Sequence, residues 1–119
     1  MMRRAACAAM ALCIVTGAQA QTVRYKRFVN PDGDKAAVFN RIYLAGVRDG
    51  LQTVNGSLVA QGAPPLFCMP PDLVLSEEQA EDILRRTAAK AARNIDDVPI
   101  AIILLRGLKE TFPCAGQGK

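Results

Sequence analysis

The chain has 119 residues, of which 50% are hydrophobic, with 15 basic residues, 11 acidic residues and no histidine. The lack of histidine excludes Ser-His-Asp and Cys-His nucleophile pairs and zinc sites that use histidine. The basic residues are scattered along the chain, which argues against nucleic acid as a partner.

The first 20 residues have the three parts of a secretory signal peptide. Arg3 and Arg4 form a basic start, an apolar stretch follows, and Ala18-Gln19-Ala20 is a small-x-small cleavage sequence. Two alternatives are a membrane anchor and a lipoprotein lipidated at Cys13. The apolar run is shorter than the about 20 residues of a spanning helix, so we predict cleavage after Ala20 and export of residues 21–119.

Removing the leader leaves 13 basic and 11 acidic residues, a net charge of +2. It also leaves two cysteines, Cys68 and Cys114. In an exported chain they allow one intramolecular disulfide, whereas free thiols or a bond between two chains are the alternatives. A bond between them closes a segment of about 46 residues, worth roughly 4 kcal/mol in the chain-entropy model.

Residues 21–33 are polar and lack helical periodicity, so we predict a loosely ordered N-terminal arm or a short extended segment. A first helix is predicted to begin near Asp32 or Asp34, since either can cap it. Apolar residues then recur at steps of three and four.

Gly46 and Gly50 lie within this predicted helix, where glycine is unfavourable by about 1 kcal/mol relative to alanine. We interpret them as a place where another helix approaches closely, with a binding role as the alternative. Residues 55–71 contain Asn-Gly and Pro-Pro pairs and are predicted to form a loop. Leu58 and Val59 are an alternative extension of the helix, and residues 55–63 are a candidate partner-binding segment.

Ser76-Glu77-Glu78-Gln79 is a capping box and predicts the start of a second helix. Residues 94–97 form a tight connection to a third helix, which Asp96 or Asp97 can cap and in which Pro99 occupies the first turn. Residues 100–105 are apolar on every face, so we expect this helix to be covered on several sides. Asp96 and Asp97 are also the candidate partner-binding residues, and they would contact a basic surface of the partner.

These patterns predict an all-α domain over residues 34–119, a small bundle of three to four main helices closed by one disulfide. The carboxylate pairs all have an explanation at a helix start, so no catalytic residue is predicted. The sequence indicates no metal site and no cofactor, and the apolar run at residues 98–105 is too short to span a membrane.

The segment between the two cysteines resembles the Rap/Tai family of periplasmic immunity proteins of type VI secretion. The matching residues are Cys68-x-Pro70, Leu75-Ser76-x-x-Gln79, Ala101 and Phe112-Pro113-Cys114, and residues 43–50 resemble the family's first-helix segment. The likeness covers roughly residues 39–114. Many members have a His-Pro pair and an aromatic residue between the helices, whereas residues 91–95 of this chain read Ala-Ala-Arg-Asn-Ile.

The resemblance implies a small all-α fold with a disulfide between the matching cysteines, and often a homodimer. It also implies a periplasmic protein that binds a peptidoglycan-cleaving amidase and occludes its active site. Two other functions fit the sequence. One is an acid-stress chaperone that loosens as carboxylates become protonated, and the other is an accessory exported helical domain with an unrelated partner.

Overall fold

The computed structural model describes residues 22–116, and within this range the protein is all-helical with one disulfide. The helices are α1 (Tyr25–Val29), α2 (Asp34–Ala60), α3 (Glu77–Ala89) and α4 (Ile100–Thr111). The predicted all-α class and helix number are confirmed. The predicted signal peptide lies outside the described residues. Between residues 22 and 116, no helix has the length and apolar character needed to cross a membrane.

The start of α3 is fixed by its own sequence. The Gln79 backbone N–H donates to Ser76 Oγ at 3.1 Å, and the Ser76 N–H donates to Gln79 Oε1 at 2.9 Å. This is the predicted capping box. Hydrogen bonds from the backbone N–H of Glu78 and from the Ser76 hydroxyl lower the pKa of the Glu78 carboxyl. Because its pKa is lower in the folded state, ionised Glu78 stabilises the fold. This stabilisation is complete at pH values above the usual glutamate pKa and is lost as the pH falls through the pKa of the folded state.

The centre of the fold is the antiparallel pair of α3 and α4. Gly107 of α4 lies against Ile83 and Thr87 of α3, so closely that a Cβ on this glycine would overlap Thr87 Oγ1 and lie 2.6 Å from Ile83 Cγ2. Thr87 satisfies its own hydroxyl by donating to the Ile83 carbonyl oxygen at 2.7 Å. Four large apolar side chains of the two helices are fully buried, namely Leu84, Ile100, Leu104 and Leu108.

The disulfide closes one end of this pair. Cys68 precedes α3, Cys114 follows α4, and their sulfurs are bonded with the Cα atoms 4.9 Å apart. The Cys68 N–H also donates to the Phe112 carbonyl oxygen at 2.8 Å. The predicted pairing is confirmed.

Helix α2 packs less tightly than the other two long helices. It has 27 residues, of which only Asn40 and Leu44 are buried. Its N-cap is Gly33, whose φ of 84° lies in the left-handed region, so neither Asp32 nor Asp34 caps the helix. A Cβ on Gly46 or Gly50 would meet nothing within 4 Å. The expected close approach of another helix at these glycines is therefore wrong within this chain.

The N-terminal segment differs from its prediction as a loosely ordered arm. Residues 25–29 form α1, and Val23 and Phe28 are only 6% and 5% exposed. The Phe28 ring also lies 5.5 Å from the guanidinium carbon of Arg85 on α3. Among residues 22–33 only Val23 and Phe28 are buried, with Tyr25 and Val29 packed partly against the core. This spacing has no helical periodicity.

The loop predicted over residues 55–71 begins later, because α2 continues to Ala60. Asn55 is helical, and its side chain ties the following loop. Its Oδ1 accepts from the Leu66 and Phe67 N–H groups at 2.7 and 3.2 Å, and its Nδ2 donates to the Phe67 carbonyl oxygen at 2.9 Å. Asn55, which was predicted to lie in the loop, is therefore a helical residue whose side chain holds the loop that follows α2.

Replacing Gly107 with alanine should destabilise the protein by about 1–3 kcal/mol, because the new methyl group must displace Ile83 and Thr87. The measurement is the free energy of unfolding in urea. Gly56→Ala is the matched control, since Gly56 lies on α2 and a Cβ added there would meet no atom within 4 Å. That control should be stabilising by up to about 1 kcal/mol. Equal stability of Gly107→Ala and the native protein would contradict the close contact.

Candidate functional site

The connection between α3 and α4 carries the two predicted partner-binding residues, Asp96 and Asp97. Both are exposed. The Asp96 N–H donates to Asn94 Oδ1 at 2.8 Å, and the Val98 N–H donates to the Ile95 carbonyl oxygen at 2.9 Å. These bonds form a tight turn, which we call the acidic turn (residues 94–97).

Neither aspartate caps α4. The N-cap is Pro99, which has no side chain able to accept a hydrogen bond, and the helix begins at Ile100. The predicted capping of α4 by Asp96 or Asp97 is therefore wrong. The pyrrolidine ring of Pro99 holds φ at −57°, a value suited to the start of a helix. Asp96 and Asp97 precede it and lie outside α4.

The N-terminal segment holds the acidic turn in place through main-chain hydrogen bonds. The Lys26 N–H donates to the Asp96 carbonyl oxygen, and the Tyr25 N–H donates to the Val98 carbonyl oxygen, each at 3.0 Å. The Ile100 N–H donates to the Val23 carbonyl oxygen, also at 3.0 Å. Because Val23 is buried, the backbone that carries the two aspartates is anchored to the core.

The carboxylates themselves remain accessible. Arg24 Nη1 lies 3.6 Å from Asp97 Oδ1 and donates to the Asp97 carbonyl oxygen at 3.4 Å, yet the Asp97 side chain is 88% exposed. An exposed ion pair of this kind contributes at most about 1 kcal/mol. The arrangement therefore offers two solvated carboxylates on a fixed backbone, which suits contact with a basic surface.

The other two features singled out in the sequence lie elsewhere. The disulfide closes the far end of the α3–α4 pair, where Leu75 and Gln79 face Thr111 and Phe112 around one shallow depression. The first six residues of the candidate segment 55–63 form the C-terminal end of α2. The acidic turn is thus separate from both. Sequence reasoning missed the pairing of residues 23–26 with residues 96–100, which no local pattern signals.

Residues 22–116 contain no group of three or more cysteine, aspartate or glutamate side chains placed to hold a metal ion. No protein-family model, curated protein or solved structure matches the chain.

Replacing Phe28 with alanine should detach the N-terminal segment from the core and lower the free energy of unfolding by about 3–5 kcal/mol. We expect faster hydrogen exchange at the Lys26 and Ile100 amides, which bond across this contact. Asp97→Ala is the control, because it removes only an exposed ion pair and should change stability by no more than about 1 kcal/mol. Unchanged exchange at both amides in Phe28→Ala would show that the segment does not support the turn.

Proposed function

We propose that the protein is a periplasmic immunity protein that binds a secreted peptidoglycan amidase and occludes its active site. The observation that carries the proposal is the acidic turn, an exposed connection whose backbone is fixed at Asp96, Val98 and Ile100. The likeness to the Rap/Tai family in the sequence supplies the class of partner.

A fixed turn is favourable for an inhibitor that works by blocking a cleft. A loop that is already ordered loses less conformational entropy on binding than a flexible one, so more of the contact energy appears as affinity. Exposed carboxylates at its tip attract a basic rim and steer the encounter. The inhibitor needs no chemistry of its own in this mechanism.

Two features support export to the periplasm. Residues 1–20 read as a signal peptide cleaved after Ala20, and the Cys68–Cys114 bond is compatible with an oxidising compartment such as the periplasm.

The first test uses the purified mature chain and an amidase encoded beside its gene. We expect a stable complex and inhibition of peptidoglycan cleavage. The double variant Asp96→Lys/Asp97→Lys should weaken binding by roughly 10–100-fold, because two contacts at a charged rim become repulsive.

The matched control is Asp32→Lys/Asp72→Lys, which makes the same charge change at two exposed positions outside the acidic turn. It should bind like the native protein. Equal weakening in both variants would mean that only net charge matters, and absence of any complex with the amidase would overturn the proposed function.

We further propose that the protein forms a homodimer through the outer face of α2. Large apolar side chains are unusually exposed on this helix: Val38, Phe39 and Ile42 are 49%, 53% and 66% exposed. These three side chains lie at neighbouring helical positions, and a contiguous exposed apolar patch is a mark of a contact surface.

The outer face of α2 is self-complementary. Phe39 and Ile42 make one half bulky, whereas Gly46, Gly50 and Thr53 follow at helical spacing and make the other half flat. In an antiparallel pair centred on Gly46, Ile42 of one copy would meet Gly50 of the other, as the two-fold symmetry of most dimers allows.

The size of the face agrees with a modest dimer. A helix of this length is a cylinder about 40 Å long and about 11 Å in diameter. A third to a half of its lateral surface is roughly 450–700 Å². Standard stable interfaces bury about 800 Å² per partner. Side chains flanking α2 would supply the remainder.

Replacing Ile42 with aspartate should abolish the dimer, because it places a charge in the middle of the apolar half. Sedimentation analysis of the mature chain gives the oligomeric state. Val74→Asp is the control, since Val74 is 84% exposed and lies outside α2, and it should stay dimeric.

A monomeric native protein would overturn this proposal. If that monomer also suppressed client aggregation near pH 2 to 3, about one unit or more below ordinary carboxylate pKa values, the exposed face of α2 would favour the acid-stress chaperone instead.

A further inference from the structure

A groove of about 360 Å³ lies between the C-terminal half of α3, the connection after it and the outer side of α4. Its floor is apolar and consists of small and aliphatic side chains, namely Ala88, Ala91, Ile95, Val98, Ile102 and Ile103. Residues 100–105 were expected to be covered on several sides, but Ile102 is 59% exposed. The apolar run of α4 therefore supplies both the core and the floor of this groove.

The charged residues that line the groove are all basic: Lys90, Arg93 and Arg106. Lys90 and Arg93 are exposed, and no carboxylate of residues 22–116 lies within 4.0 Å of either side-chain charge. Arg106 donates to Glu110 Oε1 at 2.9 Å. Two cations at the rim of an apolar groove thus have no counter-charge in the described part of the chain.

The groove continues along α4. A second depression of about 450 Å³ shares Ile102 and Arg106 with it and adds Leu105, Lys109 and Pro113 to its lining. Its one acidic residue is Glu110, which Arg106 already binds. The result is a continuous apolar surface with basic residues on its rim, which we call the basic groove.

We propose that the basic groove binds a short acidic segment of a partner protein. Carboxylates of that segment would meet Lys90 and Arg93, and an apolar side chain of it would cover Ile102. The combination of a concave apolar floor with basic residues at the rim matches a peptide that carries both kinds of group.

This surface adjoins the acidic turn and shares Ile95 with it, but the charged residues of the groove are basic and those of the turn are acidic. A partner with a basic rim and an acidic segment would engage both. The inference goes beyond the proposed function, because it holds for a protein partner of any activity.

The test uses nuclear magnetic resonance of the ¹⁵N-labelled mature chain titrated with a short synthetic peptide that combines glutamates and leucines. We expect saturable shifts at the backbone amides of Ala91, Arg93 and Ile102. Peptides with glutamine for glutamate, or with serine for leucine, should each bind at least about 10-fold more weakly, because each removes one of the two matching features.

The variant Lys90→Glu/Arg93→Glu should lose at least about 10-fold in affinity for the same peptide. The control Arg27→Glu/Arg41→Glu changes the charge equally at two exposed arginines outside the groove and should bind like the native protein. Shifts elsewhere, or no shifts, would overturn the inference.

Inorganic polyphosphate is the second probe. If it produced the same shifts as the peptide with equal affinity, the groove would be a general anion site and the inference of a peptide partner would fail. Neither probe involves an amidase, so this outcome is separate from the fate of the proposed function.

Discussion

The close contact of Gly107 with Ile83 and Thr87 is the constraint on which the remaining packing depends. It lets α3 and α4 approach so closely that Leu84, Leu104 and Leu108 become fully buried between them and their neighbours. In a domain this small the core is a modest fraction of the chain. The loss of one close contact therefore affects a large part of the free energy of unfolding.

The two ends of the α3–α4 pair are held by different means. At one end a covalent bond joins Cys68 to Cys114 and acts mainly by restricting the unfolded chain. At the other end residues 23–26 form hydrogen bonds with residues 96–100, and burial of Phe28 anchors them. The second arrangement fixes a connection without burying its side chains. It is the reason that an exposed acidic turn can also be a rigid one.

Helix α2 is held less firmly than the α3–α4 pair, and much of its surface is exposed. Its inner side is attached through Leu44 and through the Asn40 amide, which donates to the Arg27 carbonyl oxygen at 2.8 Å. The outer side carries bulky apolar groups in one half and small residues in the other. The outer face of α2 shares no residue with the basic groove or the acidic turn. The groove and the turn adjoin each other, because Ile95 of the turn also lines the groove.

The sequence by itself determined the local features. The Ser76–Gln79 capping box depends on four adjacent residues, and the pairing of Cys68 with Cys114 was predicted from the two cysteines that remain after the predicted signal peptide. Periodicity located α2, because it reports which side of a helix faces a core, whereas the capping box and an apolar run after a tight connection located α3 and α4. Only the tertiary structure decided the rest. Docking of the N-terminal segment, the accessibility of Asp96 and Asp97, and the exposure of Ile102 all depend on residues distant along the chain, and no local pattern encodes which apolar side chains a neighbouring helix will cover.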